Sequence, residues 1–202
     1  MRASRVLRVE PGNAVFFRAF VTGYERLAAW SDILDRINVF PVADGDTGRN
    51  LLLSLAPLRH LGQKDRPAVI RDLLISSRGM SGNIATRFFS EFLKTEGACS
   101  LLEAALPARE QAWRAVEDPR PGTILSLFDA LCDALAAHRD LHDHEWAGKI
   151  VDSLETAVRF TTEQLPVLRD AGVVDAGALG AFLFFEGFFS SLAGNSTGYR
   201  MI

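Results

Sequence analysis

Asn38-Val39-Phe40-Pro41-Val42-Ala43-Asp44-Gly45-Asp46-Thr47-Gly48-Arg49-Asn50 is the stretch from which the rest of the chain is read. Two carboxylates stand one residue apart on a glycine-bracketed turn. An apolar segment stiffened by Pro41 precedes them, and helical spacing follows. Two oxygen ligands on a tight turn suit Mg²⁺, which takes one or two protein carboxylates and completes its shell with water and phosphate. A helix starting at about Gly48 would aim unpaired backbone N–H groups at the same place, where phosphate oxygens bind. These thirteen residues therefore predict a Mg-nucleotide site.

Moving outward, the composition narrows the class. A chain of 202 residues with 48% hydrophobic content is sized for one globular domain. Its net charge of −3 and the absence of a Lys/Arg-rich block give no basic field for nucleic acid. Cys99 and Cys132 are far apart and lack metal-type spacing, which predicts reduced thiols in a cytoplasmic protein. No secretory leader is legible at the N-terminus. The apolar stretch 178–193 is too short for a membrane span and is interrupted by Glu186-Gly187, so it predicts a buried helix.

Helical periodicity runs from end to end. Val15, Phe16, Ala19, Phe20, Gly23, Leu27, Trp30, Leu34 and Ile37 step by threes and fours, predicting a first helix over 12–37. A second should end near 61. A third is entered through Pro67, and a fourth is capped by Ser81. A fifth, over 100–116, should be kinked or split by Pro107. The sixth begins at Gly122-Thr123, the seventh spans 144–164 until Pro166, and Asp175 opens the eighth. No strand-length alternation appears, so the fold class is all-α, a bundle or closed helical barrel. The tryptophans Trp30, Trp113 and Trp146 are assigned to packing.

If neighbouring helices run antiparallel, the joints before helices two, four, six and eight share one end. These joints are Asp44-Gly45-Asp46-Thr47-Gly48, Arg78-Gly79-Met80-Ser81-Gly82, Pro121-Gly122-Thr123 and Asp175-Ala176-Gly177. Four helix starts would then surround one triphosphate. Competing motifs fit worse. An EF-hand counted from Asp44 would place Arg49 at the turn glycine and Leu55 at the bidentate Glu. The Asp-x-Asp-Gly-Thr pattern of haloacid-dehalogenase-type phosphatases needs a strand before it and the reverse order of Thr47 and Gly48. No Gly-Lys-Ser/Thr of a Walker A loop is present. His138, His142 and His144, with Asp140 and Asp143, fall on a solvated loop at the opposite rim, and Asn195-Ser196-Thr197 has no bearing without secretion.

Residues 38–50 closely resemble the signature Asn-Val-Phe-Pro-Val-Pro-Asp-Gly-Asp-Thr-Gly-Thr-Asn of the DhaL-type nucleotide-binding domain. That domain is shared by the small subunit of dihydroxyacetone kinases and the N-terminal part of bacterial fatty acid kinases. Ser77-Arg78-Gly79-Met80-Ser81-Gly82 resembles the family's Ala-Arg-Gly-Asn-Ser-Gly, and Gly122-Thr123-Ile124-Leu125 its Gly-Thr-Ile-Leu. Gly172-Val173-Val174-Asp175-Ala176-Gly177 resembles its Gly-Val-Val-Asp-Ala-Gly. The resemblance implies a closed antiparallel eight-helix barrel over 12–193, between an N-terminal extension (1–11) and a tail or linker start (194–202). It also implies ATP or ADP and Mg²⁺, as two ions, at one end. Position by position, Asp44 and Asp46 would be the catalytic metal carboxylates, with Asn38 a further candidate metal ligand. Thr47, Gly48, Arg49, Asn50, Ser81, Gly82, Gly122 and Thr123 would line the phosphates, and Asp175, Ala176 and Gly177 would close the pocket. Arg49 stands where the family has Thr, Met80 where it has Asn, and Ala178-Leu179 interrupts a glycine-rich run.

An alcohol acceptor needs a general base near the γ-phosphate, whereas a carboxylate acceptor is already ionised. No histidine lies in or beside the four joints. The Asn-Val-Phe-Pro-Val form of the signature belongs to the fatty acid kinase branch. Together these predict phosphorylation of a fatty acid carboxylate presented by a DegV-type lipid-binding partner or fused domain. No such domain lies in these 202 residues, which are expected to be the ATP-binding part of a longer protein. A dihydroxyacetone kinase nucleotide subunit, a non-catalytic nucleotide-binding regulatory module and a homodimer remain open alternatives.

Overall fold

The structure is a computed structural model in which residues 14–94, 101–138 and 145–194 are described. Ten α-helices occupy them: α1 Ala14–Ala28, α2 Ser31–Arg36, α3 Thr47–Leu55, α4 Arg66–Ser76, α5 Gly79–Phe92, α6 Leu101–Trp113, α7 Ile124–Ala137, α8 Trp146–Gln164, α9 Pro166–Ala171 and α10 Ala176–Leu192. Helices α2 and α9 have six residues each, and the other eight are the longer elements the periodicity predicts. Among the described residues there is no strand, only an isolated bridge between Leu61 and Lys64.

The longer helices close into a ring. Helix α10 lies between α1 and α8, α8 packs on α7, α7 on α6 and α6 on α5. Helix α5 then meets α3 and α4, and α3 with its following turn returns to α1. Phenylalanine fills the interior. Phe88 and Phe128 stack at 4.0 Å between centroids, while Phe20 meets Phe188 edge-on at 5.1 Å and Phe89 packs on Phe184 at 4.6 Å. All six rings are fully buried. Offset and edge-on aromatic contacts favour this arrangement beyond area burial alone, by about 0.5–1.5 kcal/mol per pair.

Helix α10 is buried along one continuous run from Ala176 to Phe189, so the stretch with membrane-like composition is the core. No helix among the described residues is long and apolar enough to cross a membrane. Glu186, in the middle of α10, is paired with Arg26 of α1 at 2.7 Å. With one partner removed, the other charge would be stranded in the core. Helices α1 and α10 touch through glycines: a Cβ at Gly187 would come within 2.8 Å of the Thr22 carbonyl oxygen.

Several helix boundaries differ from expectation. The first helix is two, α1 and α2, broken at Ala29-Trp30, and the apolar spacing crosses the break because both pieces face the core. The second leaves α geometry at Leu55 and tightens into a 3₁₀ turn over Ala56–His60, since Pro57 has no N–H to donate. Helix α6 runs through Pro107, with Ala104, Ala105, Ala108 and Ala112 buried on both sides of it. Ser81 is not the cap of α5, which begins two residues earlier at Gly79. The expected extension 1–11, Cys99, Asp140, His142, Asp143, His144 and residues 195–202 lie outside the described residues.

The three tryptophans pack. Trp146 is edge-on to Phe189 at 5.6 Å, Trp113 donates to Asp129 at 3.0 Å, and Trp30 lies under the Arg26 guanidinium at 5.3 Å. Cys132 is buried beside Asp129 and Asp133, and desolvation pushes its thiol up to about 11, where it is inert at neutral pH.

Candidate functional site

A cleft of about 720 Å³ opens at one end of the ring, and residues of all four glycine-rich joints line it. The first joint contributes Asp44, Asp46 and Thr47, with Asn50 of α3 beside them, and the second Gly79, Met80 and Ser81. Thr123 comes from the third, and Asp175 and Gly177 from the fourth. Of the other predicted site residues, Gly48, Arg49, Gly82, Gly122 and Ala176 do not line it. Gly48 is buried against the Ser31 carbonyl of α2, and Gly82 against Ser54. Arg49 is exposed and away from the cleft lining, so its side chain does not obstruct it.

The loop before α3 is held by Asn38, which is 5% exposed. Its amide nitrogen donates to the carbonyls of Phe40 and Val42, both at 3.2 Å, and its oxygen accepts from the Asp46 N–H at 3.3 Å. Asn38 also reaches the cleft wall. Gly45, at φ +65°, then turns the chain between the two aspartates. The Asp46 side chain does not cap the helix it precedes. That task falls to Asp35 of α2, whose Oδ1 accepts from the Gly48 N–H at 2.7 Å and the Arg49 N–H at 3.1 Å. The sequence expected those two N–H groups to bind phosphate. They are already satisfied inside the protein.

The fourth joint is closed in a similar way. Asp175 is 5% exposed, and its Oδ1 accepts from the Ala178 N–H at 2.7 Å. Burial pushes its carboxyl up to about 7, against the lowering pull of hydrogen bonds from Ala178, Gly177 and Ile124. One carboxyl thus bridges the starts of α7 and α10. Thr123 adds a long local cap on α7, its hydroxyl accepting from the Leu125 N–H at 3.4 Å and donating to the Arg120 carbonyl at 2.8 Å.

Helix α5 is different. Its cap residue Arg78 makes no side-chain capping bond, and the Arg78 guanidinium turns away onto the carbonyls of Ile75 and Ser77. Gly79, Met80 and Ser81, the first turn of α5, line the cleft. The open N–H groups of that turn, with the hydroxyls of Thr47 and Ser81 and the Asn50 amide, form a neutral donor set suited to phosphate oxygens.

Charge in the cleft is lopsided. Asp44, Asp46, Glu117, Asp118 and Asp175 line it, and Arg120 is the one cation among the described residues that does so. Arg120 lies between Pro119 and Pro121 and is held by Asp118 through Nε at 3.1 Å and Nη2 at 2.6 Å. Asp44 and Asp46 pair with no described cation. The donor chemistry fits a hard divalent ion, two carboxylates beside hydroxyl and amide oxygens with no thiolate or imidazole. No group of three His, Cys, Asp or Glu converges among the described residues, as a closed zinc site would require. Asp35 and Arg120 are the residues that sequence reasoning missed. Asp35, inside α2, carried no signal of its own, and Arg120 only its Pro-Arg-Pro setting.

The family model of the DAK2 domain matches residues 41–190. Protein YloV of Bacillus subtilis is 34% identical over 203 residues, covering 93% of this chain and 37% of that protein. An uncharacterized protein of Staphylococcus saprophyticus is 30% identical over 198 residues, covering 90% of this chain and 36% of its own. The chain therefore spans a little over a third of the length of these relatives. Among solved structures, the dihydroxyacetone kinase from C. freundii in complex with AMP-PNP and Mg²⁺ superposes with a TM-score of 0.71 at 16% identity. That match covers 95% of this chain and 36% of the kinase. Its native form gives 0.72. At that identity the likeness concerns the fold: the all-α ring is that of the helical domain of this kinase.

Proposed function

This chain belongs to the DAK2 domain family, and on that premise we propose that the cleft binds ATP or ADP with Mg²⁺ and serves a kinase. Asp44 and Asp46 would hold the metal, with the remaining lone pair of Asn38 Oδ1 as a further ligand. The single observation that carries this reading is one cleft holding two carboxylates with no partner cation among the described residues, beside the first turn of α5, which its cap residue leaves open. Bound there, Mg²⁺ would neutralise phosphate charge and orient the γ-phosphoryl group for in-line transfer. The chain's residues do the positioning. Asn38 and Gly45 set the loop that presents the two aspartates. The α5 turn and the hydroxyls of Thr47 and Ser81 give the phosphate oxygens donors that stay put during transfer.

The acceptor we propose is a fatty acid carboxylate, delivered by a DegV-type lipid-binding partner or by a domain fused beyond this chain. No histidine among the described residues lines the cleft, and the Asn-Val-Phe-Pro-Val loop has the form found in that branch. Met80, 52% exposed on the wall, adds apolar surface where the family's Asn would add a polar group.

The test is ATP turnover with a fatty-acid-loaded DegV-type protein against turnover with dihydroxyacetone and its own partner subunit. Acyl phosphate formed only in the first mixture is the expected result. Phosphorylated dihydroxyacetone would reassign the acceptor, and tight Mg-ADP binding with turnover in neither mixture would make the chain a regulatory module.

A further inference from the structure

An aspartate placed immediately before a helix ordinarily turns back and accepts the N–H groups of the second and third helical residues. Asp46 holds that position before α3, and the residues to be capped are Gly48 and Arg49. Its backbone, at φ −129° and ψ 2°, is not extended as at Asp65 or Asp175, which do cap their own helices. Both N–H groups instead donate to one oxygen of Asp35, 13 and 14 residues upstream and on another helix. The arrangement depends on close packing: the Ser31 carbonyl of α2 lies where a Cβ on residue 48 would stand, so only glycine lets α3 come this near.

Two consequences for the cleft follow. With its cap supplied from elsewhere, the Asp46 carboxylate has no competing demand from its own helix and remains in the cleft wall. In addition, the positive end of the α3 dipole would repel a cation held at Asp44 and Asp46. The Asp35 carboxylate sits on that end and offsets it. We infer that Asp35 is a positioning residue that caps α3 in place of Asp46 and so keeps Asp46 available to the metal. The inference rests on the metal-nucleotide reading of the cleft and adds to it a residue that touches neither metal nor nucleotide.

A double-mutant cycle tests it, with Mg-ADP affinity measured by calorimetry and the folded fraction checked by thermal melting. Asp35→Ala is expected to weaken Mg-ADP binding about tenfold at a temperature where the protein is fully folded, as loss of a metal site's outer supports does. Asp35→Asn, which keeps the accepting Oδ1, should stay within about threefold of wild type. In an Asp46→Asn background, Asp35→Ala should change affinity less than about twofold, because the carboxylate it kept available is gone. A merely structural role would lower affinity equally in both backgrounds, and that result overturns the inference. So does wild-type affinity in Asp35→Ala. If Asp35→Ala does not fold, Asp35→Ser, too short to reach both N–H groups, takes its place in the cycle with the same expectations. Should Asp44→Asn with Asp46→Asn bind Mg-ADP as tightly as wild type, the metal reading itself falls and the inference with it.

Discussion

The starts of α3 and α5 lie on the same cleft and are made of similar material, short glycine-rich turns leading into amphipathic helices. At α3 the N–H groups of Gly48 and Arg49 are closed by the Asp35 carboxylate. At α5 the cap residue is Arg78, and it closes nothing. The first arrangement leaves negative charge to hold a cation, and the second leaves partial positive charge to hold an anion. A metal-nucleotide site needs both, side by side. What separates them is a side chain on a neighbouring element, not the composition of the turn itself.

The comparison can be broken by making the open start a closed one. Arg78 has the extended backbone of a capping residue, φ −137° and ψ 135°, so Arg78→Asp should cap α5. We expect helix stability to rise by about 0.5–1 kcal/mol. Mg-ATP affinity should fall about 100-fold, as charge-assisted bonds to phosphate are replaced by repulsion. Arg78→Ser, a neutral cap, should fall between the two. Calorimetry and thermal melting measure both quantities. Unchanged affinity in Arg78→Asp would mean that α5 does not face the phosphates.

A smaller effect is expected at Arg120. Its pairing with Asp118 is solvent-exposed and holds it weakly, so it is available to a phosphate. Arg120→Ala should weaken Mg-ATP about tenfold and leave adenosine binding unchanged, with Arg120→Lys partly restoring the loss. Equal loss for adenosine and ATP would place the guanidinium on the base instead.

A different kind of effect concerns pH, at the second carboxyl-closed start. The Asp175 carboxyl is raised from 3.8 to about 7 on folding, so the folded state holds a proton there that the unfolded state has released. Its contribution to stability is therefore complete below about pH 4, shrinks as pH rises, and is gone above about pH 7. Denaturant midpoints of wild type and Asp175→Asn, compared between pH 4 and 8, should show this slope in the wild type and its loss in the variant. Parallel curves would contradict it.

Much of the architecture was legible because α-helical burial leaves a period of three to four in the sequence, and each apolar run from Val15 to Phe189 kept that period. Where the period failed, a local cause was involved. The break at Ala29-Trp30 is silent because α1 and α2 bury the same side of the pattern. Ser81 looked like a cap because its residue type suits one, whereas Gly79, at φ +60°, is where the chain turns. At the site, the joints could be read as a set, since glycine, threonine and aspartate before a helical run mark helix starts. Which starts were open could not be read. The bonds from Asp35 to Gly48 and Arg49, and from Asp175 to Ile124, join residues far apart in sequence, and nothing in the local composition records them.

The most direct measurement is calorimetric titration of ATP into wild type and into Asp44→Asn with Asp46→Asn, each in magnesium buffer and in buffer with the metal chelated. Wild type should bind tightly only with magnesium, since Asp44, Asp46, Glu117 and Asp118 face a single arginine in the cleft, and the double variant should lose that magnesium-dependent gain by about 100-fold or more. Equal affinity of the two proteins in magnesium would contradict the account.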